Sequence, residues 1–200
     1  MRWWDRRRQP FDEVTYWALD LETTGLDPRR DSILSVGMVP IREGVIRWGE
    51  RAYTLVEGAA KVSEAGALGV HQILPGDTAT APNEGEVLRW VFDRLADCVL
   101  LVHHAPVDLG FLKTGARRHR YRWPSPRVVD TVRLLQKLEH RMERLQPYPH
   151  PMPRGLDAAR ERLGLPSHRS HHALADALAT AELFLVLRAR LNVKYLRQLL

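Results

Sequence analysis

Residues Trp17 to Leu26 read WALDLETTGL, and the β-branched and aromatic residues Val14 to Trp17 favour a strand at its start. Side chains alternate across a strand, so Asp20 and Glu22 share one face, roughly 6.6 Å apart along the backbone. Two carboxylates on an apolar strand are costly to bury unless a cation lies between them, and Mg²⁺ or Mn²⁺ suits such hard oxygen ligands. The stretch alone leaves two interpretations open: a metal site, or a strand end that reaches solvent.

The composition indicates one globular domain. The chain has 200 residues, of which 44% are hydrophobic and 27% charged, enough for a single well-formed core. No apolar run approaches the roughly 18 residues that a membrane span needs, and the basic N terminus lacks the apolar segment of a secretory signal. We expect a flexible basic arm over residues 1–12, a single domain over residues 13–200 and no contact with a membrane.

The net charge and the cysteine content indicate the kind of partner and the cellular compartment to expect. The net charge of +6 favours a polyanionic partner such as a nucleic acid, although an arginine-rich composition also follows from a GC-rich genome or from ion pairing at high temperature. A single cysteine, Cys98, excludes an internal disulfide and is typical of the reducing cytoplasm. We therefore expect a cytoplasmic protein.

The order of predicted elements favours an α/β fold. Ile33–Ile41 and Val45–Leu55 are joined by a short link that contains Gly44, which predicts a hairpin, and the apolar run Val99–His103 is typical of a central strand. With the strand before Thr23 and a short one at Val128–Thr131, we expect a mixed five-stranded sheet with an antiparallel hairpin, flanked by helices. The predicted helices cover residues 84–97 and 106–123, the stretch from the end of the Val128–Thr131 strand to about residue 145, and residues 156–163 and 173–191.

Two further acids fall near helix starts. Asp108 opens a helix just after the central strand, where an acidic residue also needs no functional explanation. Asp176 heads a helix that is apolar on both neighbouring faces, and a half-buried carboxylate there requires a cation or hydrogen-bond donors. His171 precedes Asp176 by five residues, about 140° of rotation on an ideal helix, so we place it in the preceding loop with Ser170 as the cap.

Three segments together resemble a known family. They are DLETTG from Asp20, HHAPVDLGFL from His103 and HHALADA from His171. In order and spacing they are similar to the three motifs of the DEDDh 3′→5′ exonucleases, among them the proofreading ε subunit of bacterial DNA polymerase III and its stand-alone relatives. The resemblance runs from about residue 15 to residue 187 and implies a ribonuclease-H-like fold. It departs at His104 and Val107, where the family usually has Asn and Phe.

The resemblance implies a role for each matching position. His171, rather than His172, corresponds to the general base, and the family's metal site takes two divalent ions, Mg²⁺ or Mn²⁺. The four carboxylates that would hold these ions are Asp20, Glu22, Asp108 and Asp176. The positions that would contact the terminal nucleotide are Thr23, Thr24, Leu26, Val70 and His71.

These roles predict a metal-dependent 3′→5′ exonuclease that releases nucleoside monophosphates from single-stranded or frayed DNA ends, in proofreading or repair, with a DNA polymerase subunit as a candidate partner. Two alternatives stay open at this point. One is an RNA-trimming exonuclease with the same metals and base but a different sugar pocket. The other is a non-catalytic module that docks a nucleic acid or a polymerase.

Overall fold

The computed structural model describes residues 9–57, 73, 78–145 and 151–200. Within these ranges, six strands form one mixed sheet in the order β3-β2-β1-β5-β6, with β4 beside β2, and five α-helices flank it. The strands are β1 (Tyr16–Thr23), β2 (Ile33–Arg42), β3 (Val45–Ile46), β4 (Ala52–Leu55), β5 (Val99–Val102) and β6 (Arg127–Asp130). The helices are α1 (Glu84–Leu95), α2 (Ala105–Arg118), α3 (Thr131–Glu143), α4 (Leu156–Arg162) and α5 (Ala173–Arg190).

The directions of the strands follow from their connections. β1 and β2 are antiparallel neighbours, whereas β5 and β6 run parallel to β1, because helical crossovers connect them. The α/β fold with a mixed sheet flanked by helices is therefore confirmed. Among the helices of the described ranges, none combines the length and apolarity needed to cross a bilayer.

The sheet has six strands rather than five, since the stretch predicted as a single strand over Val45–Leu55 is split. β2 pairs with β4 up to Met38 and with β3 from Ile41, and a 3₁₀ turn over Trp48–Glu50 lies between them. Pro40 occupies the break on β2. Its carbonyl accepts a hydrogen bond from the Arg47 amide at 2.9 Å, but proline has no N–H to continue the ladder on that edge.

Alternation along β1 divides the core into two layers. Tyr16 and Ala18 belong to a cluster that contains the apolar side chains of α3 and α5, whereas Trp17, Leu19 and Leu21 pack with α1 and α2. The period of two residues therefore directs Asp20 and Glu22 toward the face that α5 covers.

The N-terminal segment is held more firmly than a flexible arm over residues 1–12 implies. Phe11 is buried and packs against the rings of Tyr16 and Phe184, and its amide donates to the Lys194 carbonyl at 2.9 Å. The part of the predicted arm that the structure describes is therefore anchored at Phe11, an apolar side chain five residues before β1 that reaches the core. Residues 1–8 lie outside the described ranges.

Candidate metal centre and nuclease site

Three carboxylates meet where β1 ends. One oxygen each of Asp20, Glu22 and Asp176 lies within 4.8 Å of the other two. Asp20 and Glu22 come from β1 and point to the same face, and Asp176 comes from the first turn of α5, which covers that face. The side-chain alternation predicted for β1 therefore brings the first two acids together, and the fold adds the third.

Asp108 approaches the same place from the other layer. It lies in the first turn of α2, is buried, and accepts hydrogen bonds from its own amide and that of Leu21, the residue between Asp20 and Glu22. It does not belong to the group of three, but its charge is close enough to raise the pKa of Asp20. The structure thus gathers all four predicted carboxylates at one end of β1.

The acids perturb one another strongly. Burial, followed by the charges of Asp108, Asp176 and Glu22, raises the pKa of Asp20 well above its ordinary value. Burial and then Asp176 raise the pKa of Glu22 to about 7, and burial is also the main cause that raises the pKa of Asp108. In the absence of a cation this cluster therefore retains protons near neutral pH.

These residues fit a divalent cation. The donors are all carboxylate oxygens, the hard ligands that Mg²⁺ and Mn²⁺ prefer, and their spacing allows three of them to reach one ion. The raised pKa values point the same way, because a cation between the carboxylates would remove the repulsion that favours protonation.

Asp130 is an acidic residue of the site that sequence reasoning did not select. Its carboxylate accepts hydrogen bonds from the amides of His104 and Ala105 at 3.1 and 3.0 Å and from Val132 at 2.9 Å. It therefore ties the start of α2 to that of α3 and fixes the turn that carries Asp108. The available signal was an Asp between a strand and a helix, which is typical of an N-cap.

His171 lies in the loop before α5, as predicted. It is exposed, has a left-handed backbone with φ of 63°, and its amide donates to Asp176 Oδ2 at 2.9 Å. The predicted cap is wrong, because the Ser170 hydroxyl donates to Asp157 Oδ2 at 2.7 Å rather than to the helix start. His172 is the N-cap residue, and its ring stacks on Tyr53 with 4.9 Å between centroids.

The His168 side chain contacts Asp176 directly, although the sequence did not mark this histidine as part of the site. Its Nε2 lies 2.6 Å from Asp176 Oδ1, and its Nδ1 lies 3.1 Å from Asp157 Oδ1 on α4. The imidazole is largely buried between these two carboxylates. The sequence has three histidines close together, His168, His171 and His172. Nothing in their spacing indicates that the ring of His168 is the one that contacts Asp176.

The loop after β1 carries the predicted nucleotide contacts. The Thr23 hydroxyl donates to the Gly25 carbonyl at 2.7 Å, and that of Thr24 donates to Asp31 at 3.2 Å. Asp31 also accepts from the Asp27 amide at 2.8 Å, so it organises the turn. Leu26, at the tip, is 78% exposed. The predicted contacts Val70 and His71 lie outside the described residues.

The two departures from the family pattern lie at the start of α2. His104 has a left-handed backbone with φ of 71°, a conformation that Asn adopts more readily than most residues. Its amide, rather than its side chain, makes the contact with Asp130. Val107 is half-buried in the layer formed by α1 and α2.

Known proteins similar to this chain agree with the geometry. A family model described as Exonuclease, RNase_T, matches residues 17–184. A DNA polymerase III subunit epsilon-like protein of Rhodobacter capsulatus is 35% identical over 92% of the chain, and a PolC-type DNA polymerase III of Thermotoga maritima is 32% identical over 88%. A crystal structure of E. coli exonuclease I with single-stranded DNA superposes with a TM-score of 0.72 over 88% of the chain, at 18% identity.

The aligned part is a fraction of each of these proteins. The chain spans 25% of the length of the R. capsulatus protein, 12% of the T. maritima protein and 41% of the exonuclease I chain. The exonuclease I likeness concerns the fold alone. The family model covers most of the chain and includes all four clustered carboxylates and His171. The chain therefore belongs to the DEDDh exonuclease family.

Proposed function

We propose that this chain is a metal-dependent 3′→5′ exonuclease that releases nucleoside monophosphates from single-stranded or frayed DNA ends. The observation that carries the proposal is the convergence of oxygens from Asp20, Glu22 and Asp176 within 4.8 Å of one another, with Asp108 close by. A binding module has no need of such a cluster, which destabilises itself without cations. The cluster therefore favours catalysis over a purely docking role.

In the proposed site Asp20, Glu22, Asp108 and Asp176 would hold two divalent ions, Mg²⁺ or Mn²⁺. When bound, such ions neutralise charge on the phosphate and help to form the nucleophile from water at neutral pH. Asp20 would be the central ligand of this set, since the charges of the other three acids all raise its pKa. The buried Asp108 is anchored by backbone amides, so its carboxylate has a fixed direction in which to act as a ligand.

His171 is the proposed general base. Its imidazole would take the proton of the attacking water, a role that histidine fills more often than any other side chain in general-base catalysis. The amide of the same residue donates a hydrogen bond directly to Asp176, one of the proposed metal ligands. Its exposure leaves the ring accessible to a substrate and to solvent water.

The DNA end is proposed to meet the loop after β1. Leu26 offers an exposed apolar side chain to the terminal base, while Thr23 and Thr24 shape the turn that presents it. Apolar contact with a base is indifferent to sequence. The polymerase III names of two relatives support a DNA substrate and a polymerase partner.

The test is a nuclease assay on 5′-labelled oligonucleotides with Mg²⁺, Mn²⁺ or a chelator. Single-stranded, mispaired and duplex DNA should be compared with RNA of matched sequence. We expect a ladder that shortens from the 3′ end, faster on single-stranded and mispaired DNA, and absent with the chelator. A terminal phosphorothioate linkage at the 3′ end should slow the first step.

Asp20→Ala should abolish the ladder, whereas Asp93→Asn, an exposed acid on α1, should not change it. Cleavage that resists chelation, or an Asp20→Ala protein as active as wild type, would overturn the metal-dependent assignment. Faster release from RNA would replace the DNA substrate with the RNA-trimming alternative.

A further inference from the structure

His168 connects two acids that belong to different helices. Its Nε2 is 2.6 Å from Asp176 Oδ1 on α5, and its Nδ1 is 3.1 Å from Asp157 Oδ1 on α4. The first contact has the geometry of a hydrogen bond, whereas the second has the separation of an ion pair without that alignment. Only 11% of the imidazole is exposed, so the ring cannot readily turn away.

Both oxygens of Asp176 are engaged by the same short loop. Oδ1 contacts the His168 ring, and Oδ2 accepts the His171 amide at 2.9 Å. A carboxylate has about four lone-pair sites, so two remain for a cation shared with Asp20 and Glu22. The loop thus fixes the rotation of the carboxylate while leaving ligand positions free.

Asp157 anchors this loop from α4. Besides its contact with His168, its Oδ2 accepts the Ser170 hydroxyl at 2.7 Å. α4 is itself attached to α5 through buried Arg160, which donates to the Ala179 carbonyl at 2.8 Å and pairs with Glu182. Polar contacts therefore connect α4, through the loop, to the Asp176 carboxylate.

We propose that His168, oriented by Asp157, is a positioning residue that holds Asp176 in the direction needed to bind a divalent cation. The proposal rests on the metal-dependent function above. Partners that orient a ligand commonly affect metal affinity or activity by about 10–100-fold.

Two substitutions separate the contacts of the ring. The amide nitrogen of Gln can replace Nε2, which faces Asp176, whereas the shorter Asn replaces Nδ1, which faces Asp157. His168→Gln should therefore retain Mn²⁺ affinity, and His168→Asn and His168→Ala should weaken it about 10–100-fold. Asp157→Ala should weaken it less, because the hydrogen bond to Asp176 persists. His140→Ala, an exposed histidine paired with Glu143, is the matched control.

The measurement is isothermal titration of Mn²⁺ into metal-free wild type and variants, with melting temperature to confirm folding. Cleavage rate against Mn²⁺ concentration gives a second readout. The Mn²⁺ concentration at half-maximal rate should rise in His168→Asn as the binding constant falls, with kcat at saturating Mn²⁺ within about threefold of wild type.

A folded His168→Asn that binds Mn²⁺ as wild type does would overturn the proposal. Equal losses in His168→Gln and His168→Asn would also overturn it, since ring packing rather than the donated hydrogen bond would then matter. A wild type that binds Mn²⁺ but cleaves no DNA would contradict the proposed function alone, because the order of affinities still decides the role of His168. Failure of the wild type to bind Mn²⁺ would overturn both.

Discussion

Gly37 on β2 lies directly beneath Ala173, the first residue of α5. A Cβ atom added to Gly37 would lie 2.2 Å from the carbonyl carbon of Ala173 and 2.3 Å from the Leu174 nitrogen. Gly37 is also the cross-strand partner of Asp20. Because glycine has no side chain, the start of α5 packs directly on the sheet beside Asp20. This close packing brings Asp176 within reach of Asp20.

Gly37→Ala should separate these elements. The added methyl group meets backbone atoms rather than a flexible side chain, so α5 has to move, at a cost of about 1–3 kcal/mol or more. For a chain of this size we expect the melting temperature to fall by roughly 2–12 °C. Displacement of Asp176 by about an ångström should reduce cleavage on the order of 100-fold.

Gly49→Ala is the matched control for this substitution, because nothing lies within 4 Å of a Cβ atom added at Gly49. Calorimetry or a thermal-shift assay and the oligonucleotide assay measure both effects. If Gly37→Ala melts and cleaves as wild type does, close packing of α5 is not what places Asp176.

The elements that the sequence predicted correctly have local signals. Alternation in β1 placed Asp20 and Glu22 on one face, and the helix starts at Asp108 and Asp176 were visible as acids ahead of apolar periodicity. Motif spacing added that these segments form one site. The break at Pro40 was also readable in principle, since a proline within a strand signals an edge or an interruption.

The remaining features depend on contacts between distant segments. Asp157 and His168 lie on opposite sides of a turn, and their meeting at Asp176 depends on how α4 docks on α5. The anchoring of Phe11 against Phe184 is similarly non-local. No periodicity or cap motif encodes such distances, so sequence reasoning could not select His168 over His171 as the ring that touches Asp176.

His171→Ala should lower kcat by about 10²–10⁴-fold, the usual contribution of a positioned general base. Binding of single-stranded DNA should change little, because the carboxylates and the loop after β1 remain. The contrast is His172→Ala, which removes a ring stacked on Tyr53 and should cause a much smaller loss. Single-turnover cleavage and fluorescence anisotropy measure the two quantities, and equal losses in both variants would reject His171 as the base.

Leu26→Ala should weaken binding of the DNA end. The side chain is exposed at the tip of the loop, and covering it with a base should be worth about 1 kcal/mol, a roughly fivefold increase in KM. Leu145→Ala is a matched control, because Leu145 is similarly exposed but follows α3 and is not part of the loop after β1. Unchanged KM in Leu26→Ala, from initial rates on a short oligonucleotide, would exclude this contact.

The metal-free protein should lose stability as pH rises. The pKa of Glu22 is about 7 in the fold, above its ordinary value near 4.5, so the folded state binds the extra proton more tightly than the unfolded chain. The stabilisation is complete below about pH 4 and is lost as pH rises through 7. Glu22→Gln, which stays neutral, should therefore gain on the order of 1–3 kcal/mol relative to wild type between pH 5 and pH 9.

Added Mg²⁺ should stabilise the wild type more strongly as pH rises, which is opposite to the pH trend of the metal-free protein. A cation competes with protons for Asp20, Glu22 and Asp108, whose pKa values are all raised, so its stabilising effect should grow from pH 5 to pH 8. Melting temperatures in chelator and in Mg²⁺ across this range measure both trends, with Glu13→Gln, an exposed acid, as the control for Glu22→Gln. A Mg²⁺ effect that is independent of pH would mean that the ion binds away from these carboxylates.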